Sequence, residues 1–335
     1  MPEMIVPELT VLAFGGNAII RKGQKGDIHE QFANTRQVLE GVIDLVGLGS
    51  GLIIVHGNGP QVGHELFRSE RASSEVPELP LGVLVADTEG GMGYMIQQSL
   101  QNLLWKKNLK KPVVTLLTQV ICDRNDPYLK TPTKPVGRFF SEAEARRLKA
   151  DKGWKMINDA GRGWRLVVPS PRPVKIVEYK IIRMLVNSGI IVIAGGGGGI
   201  PIVVEDNGDF EGLDAVIDKD FTASLIGKKA GADTLIIATD IQKVSLHYNT
   251  AQQDDLDRIT VEEAERYLEA GHFPEGSMGP KIRASIDFLR GGGKRVIIAA
   301  PGEITRALKG ETGTTITADR PDFISGNHVG RLFPE

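Results

Sequence analysis

GIIVIAGGGGGIP, residues 189–201, and VIDKDF, residues 216–221, decide how the rest of the chain is read. An apolar run of strand length, residues 190–194, empties into five consecutive glycines, Gly195 to Gly199. Glycine loses more conformational freedom on folding than any other residue. A run of it is therefore offset by something only bare backbone can do: a positive φ, or a ligand against the main chain. Strand, glycines and turn is also where an α/β sheet holds an anion, because backbone N–H groups outside a ladder can converge on its oxygens. About one hairpin later, Lys219 between Asp218 and Asp220 offers the charge a phosphate transfer needs. Taken alone, a tight loop and an exposed charged turn would look the same.

Working outward, the first strand, residues 10–14, ends on Gly15-Gly16-Asn17, again bare backbone at a carboxyl end, where open parallel sheets bind ligands. An amphipathic helix is expected over residues 28–48. Strand 52–56 then runs into Gly57-Asn58-Gly59-Pro60-Gln61-Val62-Gly63, with Pro60 placed as the first helical residue. That G-x-G-x-x-x-G pattern is close to a dinucleotide fingerprint, so a nicotinamide-dependent dehydrogenase competes. The fingerprint belongs on a first strand, however, with a carboxylate closing the second strand, and neither condition is met. His56, at the strand end, reads as a catalytic base or as a hydrogen-bonded structural residue. Helical pattern over 81–108 is expected to be interrupted at Gly90-Gly91-Met92-Gly93, with Met92, Tyr94, Met95 and Ile96 in the core or at a subunit contact.

Residues 120–173 are rich in proline, basic and aromatic residues and read as a small lid over the strand ends, carrying a helix opened by the Ser141/Glu144 capping box. Lys130, Lys134 and Arg138 are there to reach a polyanion, or belong to a solvated basic loop. Helices follow over 175–187 and 221–230, with Asp220 at or near the N-cap of the second. Strand 234–238 ends on Thr239-Asp240, where Asp240 can hold ribose hydroxyls and residues 241–248 can pack on a base. A capping box at Thr260/Glu263 opens a further helix. Lys281 follows Gly276-Ser277-Met278-Gly279-Pro280 at a helix start, where the dipole disfavours a cation unless an anion lies nearby. Residues 318–335 read as a tail.

Forty basic against forty-two acidic residues give a formal charge of −2, so no bulk attraction to nucleic acid or anionic membrane is expected. The one cysteine excludes an intramolecular disulfide framework, and no metal-ligand spacing is found among the six histidines. No membrane-length apolar run or signal segment is expected, which points to the cytoplasm. No Walker sequence and no protein-kinase motif set occurs.

Gly15-Gly16-Asn17-Ala18-Ile19, His56 to Gly63, Gly195 to Pro201, Asp218-Lys219-Asp220 and Gly276 to Lys281, in that order, resemble the carbamate kinases of the amino acid kinase family. The resemblance implies a three-layer α/β/α sandwich with an open, mainly parallel sheet. Residues 1–317 would form a single domain, with 120–173 as a protruding lid subdomain inserted in it. It implies a homodimer that transfers phosphoryl reversibly between ATP and carbamate with Mg2+, in arginine catabolism. Acetylglutamate kinases carry a lysine two residues before the first glycine pair, where this chain has Ala13; in carbamate kinases the lid supplies the cation, and Lys134 fits. On this resemblance Lys134, Lys219, Asp220 and Lys281 are catalytic. Gly15, Gly16, Asn17, Gly57, Asn58 and Gly59 would form an N–H cradle for carbamate and the transferred group, Gly196 and Gly197 would lie around the nucleotide phosphates, and Asp218, Thr239, Asp240, Met278 and Gly279 by the nucleotide. No residue is assigned to a metal. Another small-acid kinase of this fold, or a catalytically silent nucleotide-binding regulator, are the remaining alternatives.

Overall fold

A computed structural model describes residues 7–20, 23–159 and 163–318, with Asn17 described by its backbone alone. The tail expected over residues 318–335 lies, beyond Ala318, outside the described residues.

Strands Leu9–Phe14, Gly51–His56, Ile191–Ala194 and Thr234–Ala238 are apolar along almost their whole length and buried on both faces. That is the pattern of central strands in a parallel sheet covered by helices. They sit in an eight-stranded sheet whose order, edge to edge, is Arg258–Thr260, Thr314–Thr317, Arg295–Ala299, Thr234–Ala238, Leu9–Phe14, Gly51–His56, Ile191–Ala194, Val113–Leu116. Neighbours run parallel except Arg295–Ala299 with Thr314–Thr317. Alternate side chains serve two cores. Leu12, Phe14, Leu52, Ile54 and Ile236 face helices Ile28–Gly47 and Leu81–Lys106. Val11, Ile53, Val55, Leu235 and Ile237 face helices Lys219–Ala230 and Met278–Arg290. Each large side chain so buried stabilises the fold by roughly 1.5–3 kcal/mol. The result is the expected three-layer α/β/α sandwich.

Three sequence expectations change. Helix Leu81–Lys106 is unbroken through its glycines. Gly93 is there for packing, since a Cβ would lie 2.2 Å from Thr115 Cγ2 on the adjacent strand. Met92, Met95 and Ile96 are core, while Tyr94 is exposed. Residues 173–176 form a strand, and the helix expected from 175 is Tyr179–Asn187.

Beside the main sheet, Phe210–Gly212, Ile200–Val204, Gln119–Cys122 and Pro173–Ile176 make a four-stranded sheet that continues from the glycine loop. A separate three-stranded antiparallel sheet, Lys134–Phe140, Trp164–Val168 and Met156–Asn158, carries helix Glu142–Lys152 with its capping box. This small unit rests on helix Gly59–Arg71 through two glycines: a Cβ on Gly63 would lie 2.0 Å from Gly137 Cα. The third glycine of the fingerprint-like motif is thus accounted for by a backbone contact rather than by a dinucleotide.

Candidate active site

A cavity of about 460 Å³ opens at the carboxyl ends of the central strands, under the three-stranded sheet. Its floor is a charge cluster. Asp218 is the N-cap of helix Lys219–Ala230, accepting from Asp220 N at 3.0 Å, so Asp220 is not the cap that the sequence suggested. Freed from capping, Asp220 receives Lys219 Nζ at 2.5 Å on Oδ1 and Lys281 Nζ at 2.9 Å on Oδ2. Asp218 Oδ2 receives Lys134 Nζ, reaching over from the three-stranded sheet, at 2.5 Å.

Three ammonium groups therefore share two carboxylates, an excess of one positive charge. Lys219 and Asp220 are nearly closed to solvent, at 7% and 2% exposed. Burial alone would push both aspartates up. For Asp218 the ammonium groups of Lys134, Lys219 and Lys281 outweigh it, and for Asp220 those of Lys219 and Lys281, so both stay ionised below the usual carboxylate range. Burial works against the charge on Lys281, but Asp220 and Asp218 more than offset it and raise its pKa. For Lys219 burial prevails and the pKa falls.

Helix ends add to the positive field. Helices Gly59–Arg71, Lys219–Ala230 and Met278–Arg290 all begin at this cavity, which Gly59, Lys219 and Met278 line. At two of them the N-cap side chain does not cap: neither Asn58 nor Ser277 accepts from its helix. Uncapped N-termini with lysines between them suit a polyanion.

The glycine run takes left-handed or otherwise positive φ at Gly195, Gly197, Gly198 and Gly199. Its N–H groups are largely spent inside the protein. Gly195 donates to Thr118 Oγ1 at 2.8 Å, Gly196 to Glu89 Oε1 at 2.8 Å, Gly198 to Gly195 O and Gly199 to Gly196 O. Gly197 lines the cavity, whereas Gly196 is buried behind it. Gly57 likewise gives its N–H to Phe14 O at 2.8 Å. Its bareness instead lets Lys219 pass, since a Cβ there would lie 3.1 Å from Lys219 Cδ.

Of the residues singled out from sequence, Lys134, Lys219, Asp220, Lys281, Gly15, Gly16, Gly57, Asn58, Gly59, Gly197, Asp218, Thr239, Asp240 and Met278 line this one cavity. Gly196 and Gly279 do not line it, and Asn17's side chain lies outside the described residues. His56 is fully buried behind the wall, its pKa pulled down to about 4 by burial, and its ring abuts Gly196. It is a neutral packing residue, not a base facing the cavity. Sequence reading missed Arg165 and Asp159, paired at 3.4 Å in the roof, and His272 and Phe273 beside Ser277 and Met278. None of these four sits in a glycine or capping motif, so no local signal marked them.

The chain matches the amino acid kinase family over residues 8–300. It is 47% identical over 314 residues to the carbamate kinase of Pyrococcus horikoshii, covering 93% of this chain and all of that protein. Two solved structures of carbamate kinase from Giardia lamblia are also similar, each 40% identical over 93% of this chain and 99% of the other. The one bound to citric acid gives a TM-score of 0.89 and the one bound to AMP-PNP 0.84. The chain belongs to the amino acid kinase family and, within it, to the carbamate kinases.

Proposed function

We propose that this chain catalyses reversible phosphoryl transfer between ATP and carbamate, giving ADP and carbamoyl phosphate. The observation that carries the reading is the bridge Lys219–Asp220–Lys281, with Lys134 brought to the same spot by Asp218. Phosphoryl transfer asks little covalent chemistry of a protein. It asks for donor and acceptor in line and for charge on the moving group to be neutralised. Asp220 would hold Lys219 and Lys281 at fixed spacing on that group. The incoming phosphates would draw Lys134 away from Asp218, and the glycines of the first two loops would face the acceptor. Thr239, Asp240 and Met278, which also line the cavity, would take the nucleoside.

Among the described residues, no group of three or more His, Cys, Asp or Glu side chains could hold a metal ion. Asp218 and Asp220 are committed to lysines and Asp159 to Arg165, which leaves Asp240 as the cavity carboxylate that would face a nucleotide-borne ion. Mg2+ would then sit mainly on phosphate and water oxygens and supply charge neutralisation there. The three-stranded unit would act as a lid. Dimerisation and a place in arginine catabolism are carried over from the resemblance, and a cytoplasmic location from the sequence reading. No helix among the described residues is long and apolar enough to cross a membrane.

ATP formation from ADP, Mg2+ and carbamoyl phosphate tests the reading, with acetylglutamyl phosphate offered in parallel. Turnover with carbamoyl phosphate alone is expected. Turnover with acetylglutamyl phosphate alone would move the acceptor assignment, and tight ADP binding without turnover would point to a regulator.

A further inference from the structure

Helix Leu81–Lys106 passes behind the cavity without lining it, yet two consecutive side chains on it reach two different loops of the site. Thr88 Oγ1 accepts from Asn58 Nδ2 at 2.9 Å, in the loop after strand Gly51–His56. Glu89 accepts from Gly196 N at 2.8 Å on Oε1 and from Thr118 N at 3.2 Å on Oε2. Thr118 extends the hold, its hydroxyl accepting from Gly195 N at 2.8 Å and its carbonyl from Ile200 N at 2.8 Å. Both helix side chains are buried, at 6% and 1% exposed. The two loops also touch each other, since a Cβ on Gly197 would lie 2.3 Å from Asn58 Nδ2.

Each arrangement forgoes something locally. A carboxyl in this position is costly, and burial pushes Glu89 up to about 8 despite the N–H groups of Thr118 and Gly196. Asn58 stands at a helix N-cap, where its side chain would ordinarily accept from its own helix, but its amide is turned to Thr88 instead. Both departures have one geometric result: the loop after the second central strand and the glycine loop are hung from adjacent positions of one rigid helix. In-line transfer is sensitive to such spacing, because a 1 Å misplacement can cost about a hundredfold in rate.

We infer that Thr88 and Glu89 are positioning residues that set the separation of the acceptor loop and the nucleotide loop. The inference rests on the phosphoryl-transfer reading above. Neither side chain lines the cavity, so their effect on the reaction runs through Asn58, Gly196 and Thr118.

The test uses the full chain with Thr88→Val, Thr88→Ser, Glu89→Ala and Glu89→Gln. Thr88→Val and Glu89→Ala should each lower kcat at least about tenfold, with KM for ADP and carbamoyl phosphate within about threefold, because the groups that bind each substrate remain and only their relative placement changes. Thr88→Ser keeps the hydroxyl and should restore kcat. Glu89→Gln keeps one acceptor for the two N–H groups of Gly196 and Thr118 and loses the other, and should fall between; it carries the test if Glu89→Ala does not fold. Amide exchange reads the attachment without turnover. Glu89→Ala should open peptides covering 195–196, and Thr88→Val those covering 57–60. A kcat within twofold of wild type in the folded variants would overturn the inference even if stability fell, since that is what ordinary core residues do. Unchanged exchange in both loops would overturn it as well. If the wild type turned over no acyl phosphate, the functional reading would fall by itself. Amide exchange would then decide the bracket: loosened loops in the variants support it, and unchanged exchange sinks it.

Discussion

Lys219 and Lys134 reach the same pair of aspartates from structures of different kinds. Lys219 sits in the first turn of a helix packed on the main sheet, its carboxylate partner buried and shared with Lys281. Lys134 begins a strand of the three-stranded roof, which packs through Val136, Leu166 and Val168 on Val62, Leu84 and Val85, but its own side chain is 26% exposed and held by one ion pair. The floor is fixed by core packing, so its charges are preorganised. The Lys134 ammonium in the roof is partly solvated and held by one ion pair, so this charge can come and go with the substrate. Preorganised donors in a water-poor site contribute more to a transition state than solvated ones.

The largest difference should therefore appear between the two lysines. Lys219→Ala is expected to lower kcat by about 10²–10³, equivalent to roughly 3–4 kcal/mol. A loss of less than tenfold in steady-state assays would place the transferring group elsewhere.

Next in size is a backbone change in the floor. Gly198 has φ +97, and a Cβ there would meet the Ile217 carbonyl oxygen at 2.2 Å. That oxygen cannot swing aside as a side chain would, so Gly198→Ala should cost about 3 kcal/mol of stability, from strain and displacement of the loop. Urea unfolding measures it. A change below about 0.5 kcal/mol, within the range of ordinary surface substitutions, would mean the floor is more compliant than its packing implies.

Lys134→Met should cost less, about tenfold in kcat, because the pair it breaks is partly solvated and screened. Its unfolding midpoint should match wild type. Should Lys134→Met prove as damaging as Lys219→Ala, the roof is as preorganised as the floor, and the contrast disappears.

Which parts of this site were visible in the chain follows the same division. Features made by local backbone rules were legible: the buried strands from their unbroken apolar runs, the loops from Gly15-Gly16 and Gly195 to Gly199, and the capping boxes at Ser141 and Thr260. Lys134 stood among three basic candidates of the lid and only the resemblance singled it out, since its partner Asp218 is 84 positions away and nothing local marks the pair. Gly196 was misread because strand-then-glycine says that N–H groups are available without saying which way they point; the Glu89 side chain, 107 positions away, takes that one. Asp220 was misplaced at the N-cap by two positions, an error inherent in reading helix ends from sequence. The apparent break at residues 90–93 failed for a related reason, because tertiary packing against Thr115 overrode the weak helix propensity of glycine.

The smallest effect is in pH dependence, where floor and roof again part. His56 is held down to about 4 by burial, against 6.5 unfolded, so its contribution is full above pH 6.5 and is lost as pH falls toward 4. Glu89 has the opposite sign. Raised from 4.5 to about 8 by burial, it contributes fully below pH 4.5 and loses that contribution as pH rises through 8. Stability from these two floor groups should thus peak between roughly pH 4.5 and 6.5. Replacing Glu89 by Gln removes one limb. The stability difference between wild type and Glu89→Gln, from urea midpoints at pH 5 to 8, should therefore shift by about 1.4 kcal/mol per pH unit in favour of the variant. The roof contributes nothing in this window, because Asp218 is held below the ordinary carboxylate range and stays paired with Lys134 throughout. A difference that does not change with pH would mean that the Gly196 and Thr118 N–H groups hold Glu89 ionised. The glycine loop would then rest on a full negative charge instead of a neutral carboxyl, and the floor would owe its rigidity to charge-assisted hydrogen bonds as the roof does.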